Sequence, residues 1–218
     1  MEALILYFVL FFPGAYGFSL PAGEIIPFSA LRELSRTLTY TVPSLALLWY
    51  LITDKKGFSS LNLNRIKPGK PEVYSLAAGL PGLIIISLFA SLLDYFLSQP
   101  LGLSAPPKVE GPSTVPGFIV LVFSCLGTGY LEESYFRYYL LTKLETAVPA
   151  IPFRIAVSTL LFSLCHLYEG PWGVANALLA GVFLSILFIR YRSIHGIAWA
   201  HGAYNLFVYV MSLVNFSN

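Results

Sequence analysis

The sequence has few charged residues, and this shortage limits what the protein can be. Only 11% of its 218 residues are Asp, Glu, Lys or Arg, whereas 56% are hydrophobic. A soluble domain carries about 25% charged residues. With a mean hydropathy of +0.72, so few charges cannot cover the apolar surface in water. The composition therefore excludes an ordinary water-soluble fold and predicts that lipid surrounds the protein.

Excess basic charge and cysteine are scarce as well. The formal net charge of +2 is too small for a nucleic-acid-binding surface. Cys125 and Cys165 both lie in apolar runs, and the sequence has no CxxC pair and no zinc-finger spacing. Two thiols could in principle pair, but we expect two buried free cysteines that pack as small apolar side chains.

Long apolar runs make up most of the chain. A helix needs about 20 apolar residues to cross a bilayer, and seven stretches reach or approach that length. They are approximately 3–20, 37–53, 73–97, 117–142, 153–168, 172–190 and 194–214. The fold class predicted is an all-α, polytopic membrane helix bundle with about seven transmembrane spans.

Charges beside these runs predict the orientation of the protein. The first run follows Met1-Glu2 rather than a basic segment, so we expect a retained span and not a cleaved signal. The polar loop 54–71 holds five basic residues, and placing it in the cytoplasm puts most other basic residues on the same side. The positive-inside rule then predicts a cytoplasmic N-terminus in the plasma (inner) membrane. Residues 24–36 are predicted to form an amphipathic helix at the interface.

Ionisable side chains within the apolar runs indicate a functional site. Each costs about 2.5–3.5 kcal/mol on insertion, so it persists where a partner or a function holds it. Together with one amide, the residues singled out are Glu132, Glu133, Arg137, His166, His201 and Asn205.

Helical spacing relates these residues to one another. Glu133 and Arg137 are four residues apart with the acid first, which favours a salt bridge that supports the site and orients the helix. His201 and Asn205 are also four apart and project from one face. Glu132 points about 100° away from Glu133, and we expect it to be an unpaired buried acid beside small residues.

Three of these residues are predicted to lie at a similar depth in the membrane. Counted from the basic residue near the helix end, Glu132, His166 and His201 lie eleven, twelve and nine residues into their runs. At 1.5 Å per residue these positions are about 16, 18 and 14 Å from one membrane side. The hydrocarbon core is about 30 Å thick. The three side chains are therefore predicted to meet near the middle of the membrane.

Such a set can hydrolyse a peptide bond. A carboxyl group in apolar surroundings accepts a proton readily, so Glu132 is expected to act as general base for water, helped by His166. His201 and Asn205 are expected to donate hydrogen bonds to the oxyanion. A metal reading stays open, because Glu132, His166 and His201 form a two-His, one-Glu set that can bind zinc. We favour a metal-free site with no cofactor, since the sequence has no HExxH and Asn205 is a poor zinc ligand.

The three motifs resemble those of a known family. Glu-Glu-x-x-x-Arg at Glu132–Arg137, Phe-x-x-x-His at Phe162–His166 and His-x-x-x-Asn at His201–Asn205 each lie in a membrane span. This pattern resembles the CAAX-protease and bacteriocin-processing (CPBP, or Abi) family, which includes CAAX prenyl endopeptidases of the Ras-converting type. The resemblance covers about residues 117–214.

The resemblance implies an α-helical intramembrane endopeptidase in which Glu132 and His166 activate water while His201 and Asn205 bind the oxyanion. Residues 1–218 are then a single membrane domain, with 1–116 as N-terminal spans and loops and 117–214 as catalytic core helices. The partner it implies is a membrane-anchored peptide or protein substrate within the lipid bilayer, and no nucleic acid.

Alternatives remain for the substrate and for the activity. The substrate class is a leader peptide, a C-terminal sorting signal or a CAAX-type end, and the short chain favours a small processing protease. Instead of an enzyme, the chain could be a catalytically silent scaffold or immunity protein. A proton-coupled transporter that uses Glu132, His166 and His201 as a relay is the remaining alternative.

Overall fold

In this computed structural model of the protein, the structure describes residues 1–11, 25–53, 69–102, 108–145, 147 and 150–216. Only the backbone is described at 108–109 and 212–216. Most of the predicted loop 54–71 and the second half of the predicted span 3–20 lie outside the described residues. The basic residues 55–67, on which the predicted orientation depends, lie outside them too.

Seven helices form the described part of the chain. They are α1 (Glu2–Leu10), α2 (Ala30–Arg36, Thr37–Thr41 and Val42–Thr53 in unbroken succession), α3 (Lys70–Leu101), α4 (Val115–Glu145), α5 (Ile151–Leu164), α6 (Gly170–Tyr191) and α7 (Ile194–Phe216). A 3₁₀ turn, Leu167–Glu169, joins α5 to α6. Two short strands, β1 (Ile25–Ile26) and β2 (Lys108–Val109), pair in parallel.

The all-α membrane bundle predicted from the sequence is confirmed, and each of the seven apolar stretches overlaps one of these helices. Among the described residues, three segments are long and apolar enough to cross a membrane: Lys70–Leu101, Val115–Glu145 and Leu167–Tyr191. The helix α5 is apolar but has only 14 residues. The protein is an integral membrane protein, and the crossing of all seven helices stays a prediction.

The helix predicted over residues 24–36 begins only at Ala30, since Ile25–Ile26 form β1, and its location at the membrane interface stays a prediction. Ser29 caps the start of α2, where its side chain accepts a hydrogen bond from the backbone N–H of Arg32 at 3.3 Å. No Gly or Pro breaks the chain at Arg36, and the helix continues through a π-helical turn, Thr37–Thr41, into Val42–Thr53. The charged residues of this segment therefore lie on the first turns of a long helix that packs along α4.

The centre of the bundle is α4. It packs against α2 and α7, while α7 also packs against α3 and α5 packs against α6. The second half of α4 contains a π-helical segment, Ser134–Leu140, in which every side chain is buried. Such π segments recur at functional sites. Cys125 and Cys165 are both free, as predicted.

Candidate active site

Two glycines bring α4 and α7 into backbone contact. A methyl group on Gly129 would lie 2.7 Å from the carbonyl oxygen of Ala198 and 2.8 Å from the amide nitrogen of Gly202. A methyl group on Gly202 would lie 2.9 Å from the Cα of Leu126. Only residues without a side chain permit this approach. One helical turn further along α4 come the two glutamates, which the contact holds against the face of α7.

His201 of α7 lies between these two glutamates. Its Nδ1 is 2.7 Å from Oε1 of Glu133, and its Nε2 is 3.5 Å from Oε2 of Glu132. An ionised carboxylate only accepts hydrogen bonds, so Nδ1 carries a proton that it donates to Glu133. The expectation that Glu132 is unpaired is therefore wrong. The sequence could not show this contact, because it joins residues nearly seventy positions apart.

The predicted pair of Glu133 and Arg137 is present and is fully buried. Arg137 Nη1 donates to Oε1 of Glu133 at 3.0 Å, and neither side chain is exposed to solvent. The same oxygen accepts from His201, so Glu133 links the π-helical segment of α4 to α7. The guanidinium of Arg137 also lies over the ring of Phe162, 4.2 Å from its centroid, which is a cation–π contact.

His166 follows the end of α5, next to Phe162. Its Nδ1 donates to the carbonyl oxygen of Phe162 at 2.9 Å, so the neutral ring has a lone pair on Nε2. The His166 ring is 4.7 Å from the Phe162 ring, and the His201 ring is 6.1 Å from it. Phe162 is thus a ring neighbour of both histidines. Sequence reasoning gave Phe162 no role, although its fixed spacing to His166 was a signal.

Asn205 follows His201 by one turn of α7 and is half-buried. Within the described residues its side-chain amide has no hydrogen-bond partner, so both its N–H groups are free to donate. The Glu132 side chain is 17% exposed, so it borders a space that another molecule can enter. The structure thus brings Glu132, Glu133, Arg137 and His201 into direct contact and places Asn205 on the same face of α7.

The charges of the buried cluster constrain its chemistry. For Nε2 of His201 to donate to an oxyanion while Nδ1 donates to Glu133, the imidazole has to carry both protons. Two carboxylates, the guanidinium of Arg137 and this imidazolium then sum to zero charge, which lowers the cost of burying them. The contact with Glu133 therefore suits His201 to the donor role predicted for it.

The ligand set proposed for zinc is not assembled. In the part of the chain that the structure describes, no group of three or more His, Cys, Asp or Glu side chains is close enough to hold a metal ion. Glu132 and His201 face each other, but no third ligand side chain is grouped with them in that part of the chain. As they are placed, these side chains do not fit a three-ligand metal site.

Replacing Gly129 with Ala is expected to push α4 and α7 apart. Overpacking of this kind costs about 1–3 kcal/mol of unfolding free energy. A displacement of about 1 Å at the reacting groups lowers a rate about 100-fold. The unfolding midpoint in detergent and the cleavage rate check both effects. Phe123→Leu, on the lipid-facing side of α4 where Phe123 is 65% exposed, should change neither, and equal behaviour of the two variants would contradict the prediction.

The fold and this cluster define a class of protein: an integral membrane helix bundle with acid, base and amide side chains gathered where α4 and α7 touch. Residues 114–207 match the family model described as type II CAAX prenyl endopeptidase Rce1-like. The match spans all three motifs and confirms the resemblance to the CAAX-protease family over this part of the chain. The matched family consists of peptide-bond hydrolases. No curated protein and no solved structure matches the chain.

Proposed function

We propose that the protein is an intramembrane endopeptidase in which Glu132 and His166 activate water and His201 and Asn205 bind the oxyanion. The position of His201, with Nδ1 on Glu133 and Nε2 3.5 Å from Glu132, carries this proposal. In support of it, Glu132, the proposed base, and His201, the proposed oxyanion donor, are direct neighbours. Residues 117–214 then form the catalytic core of a single membrane domain, and 1–116 contribute the N-terminal spans.

In the first step, the Glu132 carboxylate takes a proton from a water molecule whose other hydrogen is held by the lone pair of His166 Nε2. The water oxygen forms a bond to the carbonyl carbon of the scissile peptide. The carbonyl π electrons move to its oxygen, which becomes an oxyanion. Arg137 and Glu133 take no part in the transfer; they hold the His201 ring in place.

In the second step, the oxyanion is stabilised by donors that need not move. The Nε2–H of His201 and the side-chain amide of Asn205, on one face of α7, donate hydrogen bonds to the oxyanion. As the carbonyl re-forms, the C–N bond breaks, and the proton held on Glu132 passes to the leaving amine. One water and one peptide bond give one carboxylic acid and one amine, and Glu132 returns to its ionised state.

The substrate proposed is a membrane-associated protein or peptide, because the site lies among helices that lipid surrounds. The family description names a prenyl endopeptidase, which favours a CAAX-type or similar C-terminal substrate over a leader peptide. The proposed setting is a multi-pass protein of the plasma (inner) membrane with a cytoplasmic N-terminus. The substrate then enters the site laterally from the lipid bilayer.

Two of the three histidines of the chain supply a matched test of the proposal. Wild type, His166→Gln and His195→Gln are expressed in the same host, and the ends of its membrane proteins are compared by mass spectrometry. His195 lies outside the cluster and bonds the Tyr130 hydroxyl at 3.0 Å. New peptide ends should appear with wild type and His195→Gln and fall at least about 100-fold with His166→Gln.

The other outcomes of this test are equally informative. Identical ends in all three samples, with all three proteins folded in the membrane, would point to a silent scaffold. A proton flux that His166→Gln abolishes, without any new peptide end, would instead point to a transporter.

A further inference from the structure

A second charged cluster lies where α2 packs beside α4. Glu33 is buried, with 7% exposed, and its Oε2 accepts from Arg36 Nη2 at 2.9 Å and from Ser124 Oγ at 2.8 Å. Arg32 Nε approaches the other oxygen at 3.9 Å. Two cations therefore share one carboxylate, and the cluster is net positive. Ionisable groups among membrane helices indicate function, and water activation uses none of these.

Arg36 has donors left over after these contacts. Its Nη2 serves Glu33 and also donates to Ser124 Oγ at 2.8 Å, and its Nη1 donates to Thr128 Oγ1 at 3.4 Å. A guanidinium has five N–H donors, and in the described part of the chain about two of them have no acceptor. The side chain is 42% exposed. A cation so placed, with directed donors facing an open space, can bind one more anionic group.

The position of Arg36 relates it to the proposed active site. Thr128 precedes Glu132 by one turn of α4 and Ser124 precedes it by two, so Arg36 stands about 6–12 Å from Glu132 along the helix axis. The guanidinium is within electrostatic range of Glu132 and of Tyr209 of α7. It therefore lies against α4, one to two helical turns from Glu132. An extended peptide covers about 3.3 Å per residue, so this distance corresponds to about two to four residues.

We propose that Arg36 determines specificity by binding the C-terminal carboxylate of the substrate, about two to four residues beyond the scissile bond. The inference rests on the proposed function, since it needs a cleaved peptide at Glu132. A carboxylate is the group that a guanidinium binds best in a peptide. Every peptide carries a carboxylate at its C-terminus, whatever its sequence. Arg36 then selects substrates by the length of the tail to be removed, which favours C-terminal processing over removal of a leader.

The test uses one fluorescence-quenched peptide with a farnesylated cysteine followed by three apolar residues. It is made in three forms: a free C-terminal acid, a C-terminal carboxamide, and a carboxamide whose last residue is Asp. Purified full-length wild type should prefer the acid to the plain carboxamide about 10- to 100-fold in kcat/KM, mainly through KM, which is the range for a hydrogen bond to a charged group. Arg36→Gln should abolish this preference, and Arg36→Lys should keep part of it.

Arg32→Gln is the matched control. It removes the same charge from the same cluster, but Arg32 Nη2 donates to the carbonyl of Pro27 at 2.9 Å, and the variant should keep the preference of wild type. An equal loss on acid and carboxamide in Arg36→Gln would show a structural role and overturn the inference. So would a wild type that does not discriminate between them. Recovery with the Asp form at the same tail length would overturn the C-terminal assignment in favour of an acidic side chain.

The same assay separates this inference from the proposed function. If wild type cleaves all three forms at the same rate and the His166→Gln variant cleaves none, the endopeptidase function is supported and the proposed role of Arg36 is overturned. If wild type cleaves none of the forms and membranes show no new peptide ends, the proposed function fails, and the inference fails with it.

Discussion

Replacing Glu132 with Gln is expected to slow peptide cleavage about 100- to 10,000-fold, the range that general-base catalysis supplies. Glutamine keeps the size and the polar contacts of the side chain but cannot take a proton from water. Because Glu132 is only partly buried, 17% exposed, the substitution should leave the fold intact. The release of product from the farnesylated peptide, with the unfolding midpoint measured in parallel, checks the prediction.

Glu72→Gln is the matched control for this experiment. Glu72 is a glutamate with 6% exposed, and it closes the capping box at the start of α3, where its Oε2 accepts from the Gly69 amide at 2.8 Å. Glutamine serves in a capping box as well as glutamate does, so activity should stay within about threefold of wild type. A Glu132→Gln variant that matches this control would exclude Glu132 as the base.

The Arg137→Gln substitution is expected to have the largest effect on stability. It leaves the Glu133 carboxylate, which is fully buried, without its guanidinium partner. Breaking a buried ion pair from one side costs about 3–5 kcal/mol of unfolding free energy. The variant also loses the contact over Phe162. Denaturant unfolding in detergent should show this loss, together with low yield in the membrane.

Two further variants establish that burial causes this effect. Arg192→Gln removes a guanidinium from an exposed pair, with side chains 47% and 39% exposed at 3.2 Å from Glu145, and should cost at most about 1 kcal/mol. The double variant Glu133→Gln/Arg137→Gln should recover part of the stability lost by Arg137→Gln, because no unpaired charge remains buried. Equal losses in Arg137→Gln and Arg192→Gln would contradict the importance of the buried pair.

The helices, the ion pair within α4 and the motifs could be predicted from the sequence, because each depends on residues close together along the chain. An apolar run of about 20 residues has few states in a bilayer other than a helix, so the seven helices follow from hydropathy. The contact of Glu133 with Arg137 follows from a spacing of four within one helix. The family motifs are local in the same sense, since each occupies five or six consecutive residues of one span.

Tertiary structure alone decided which faces of those helices meet. That His201 touches both Glu132 and Glu133 depends on Gly129 and Gly202 lying opposite each other, and the sequence contains many other glycines that could have formed the contact. The position of Arg36 was likewise hidden, because hydropathy alone did not show that its helix continues into the next span and packs along α4.

The sequence by itself thus determined the helices, the buried charges and their spacing within each span, because these depend on neighbours along one chain segment and on the lipid around it. The tertiary structure decided the pairing of His201 with two carboxylates and the placement of a cation one to two turns from Glu132. Those contacts join residues about 70 to 90 positions apart. Their free energy comes from close packing between helices, which no single span encodes.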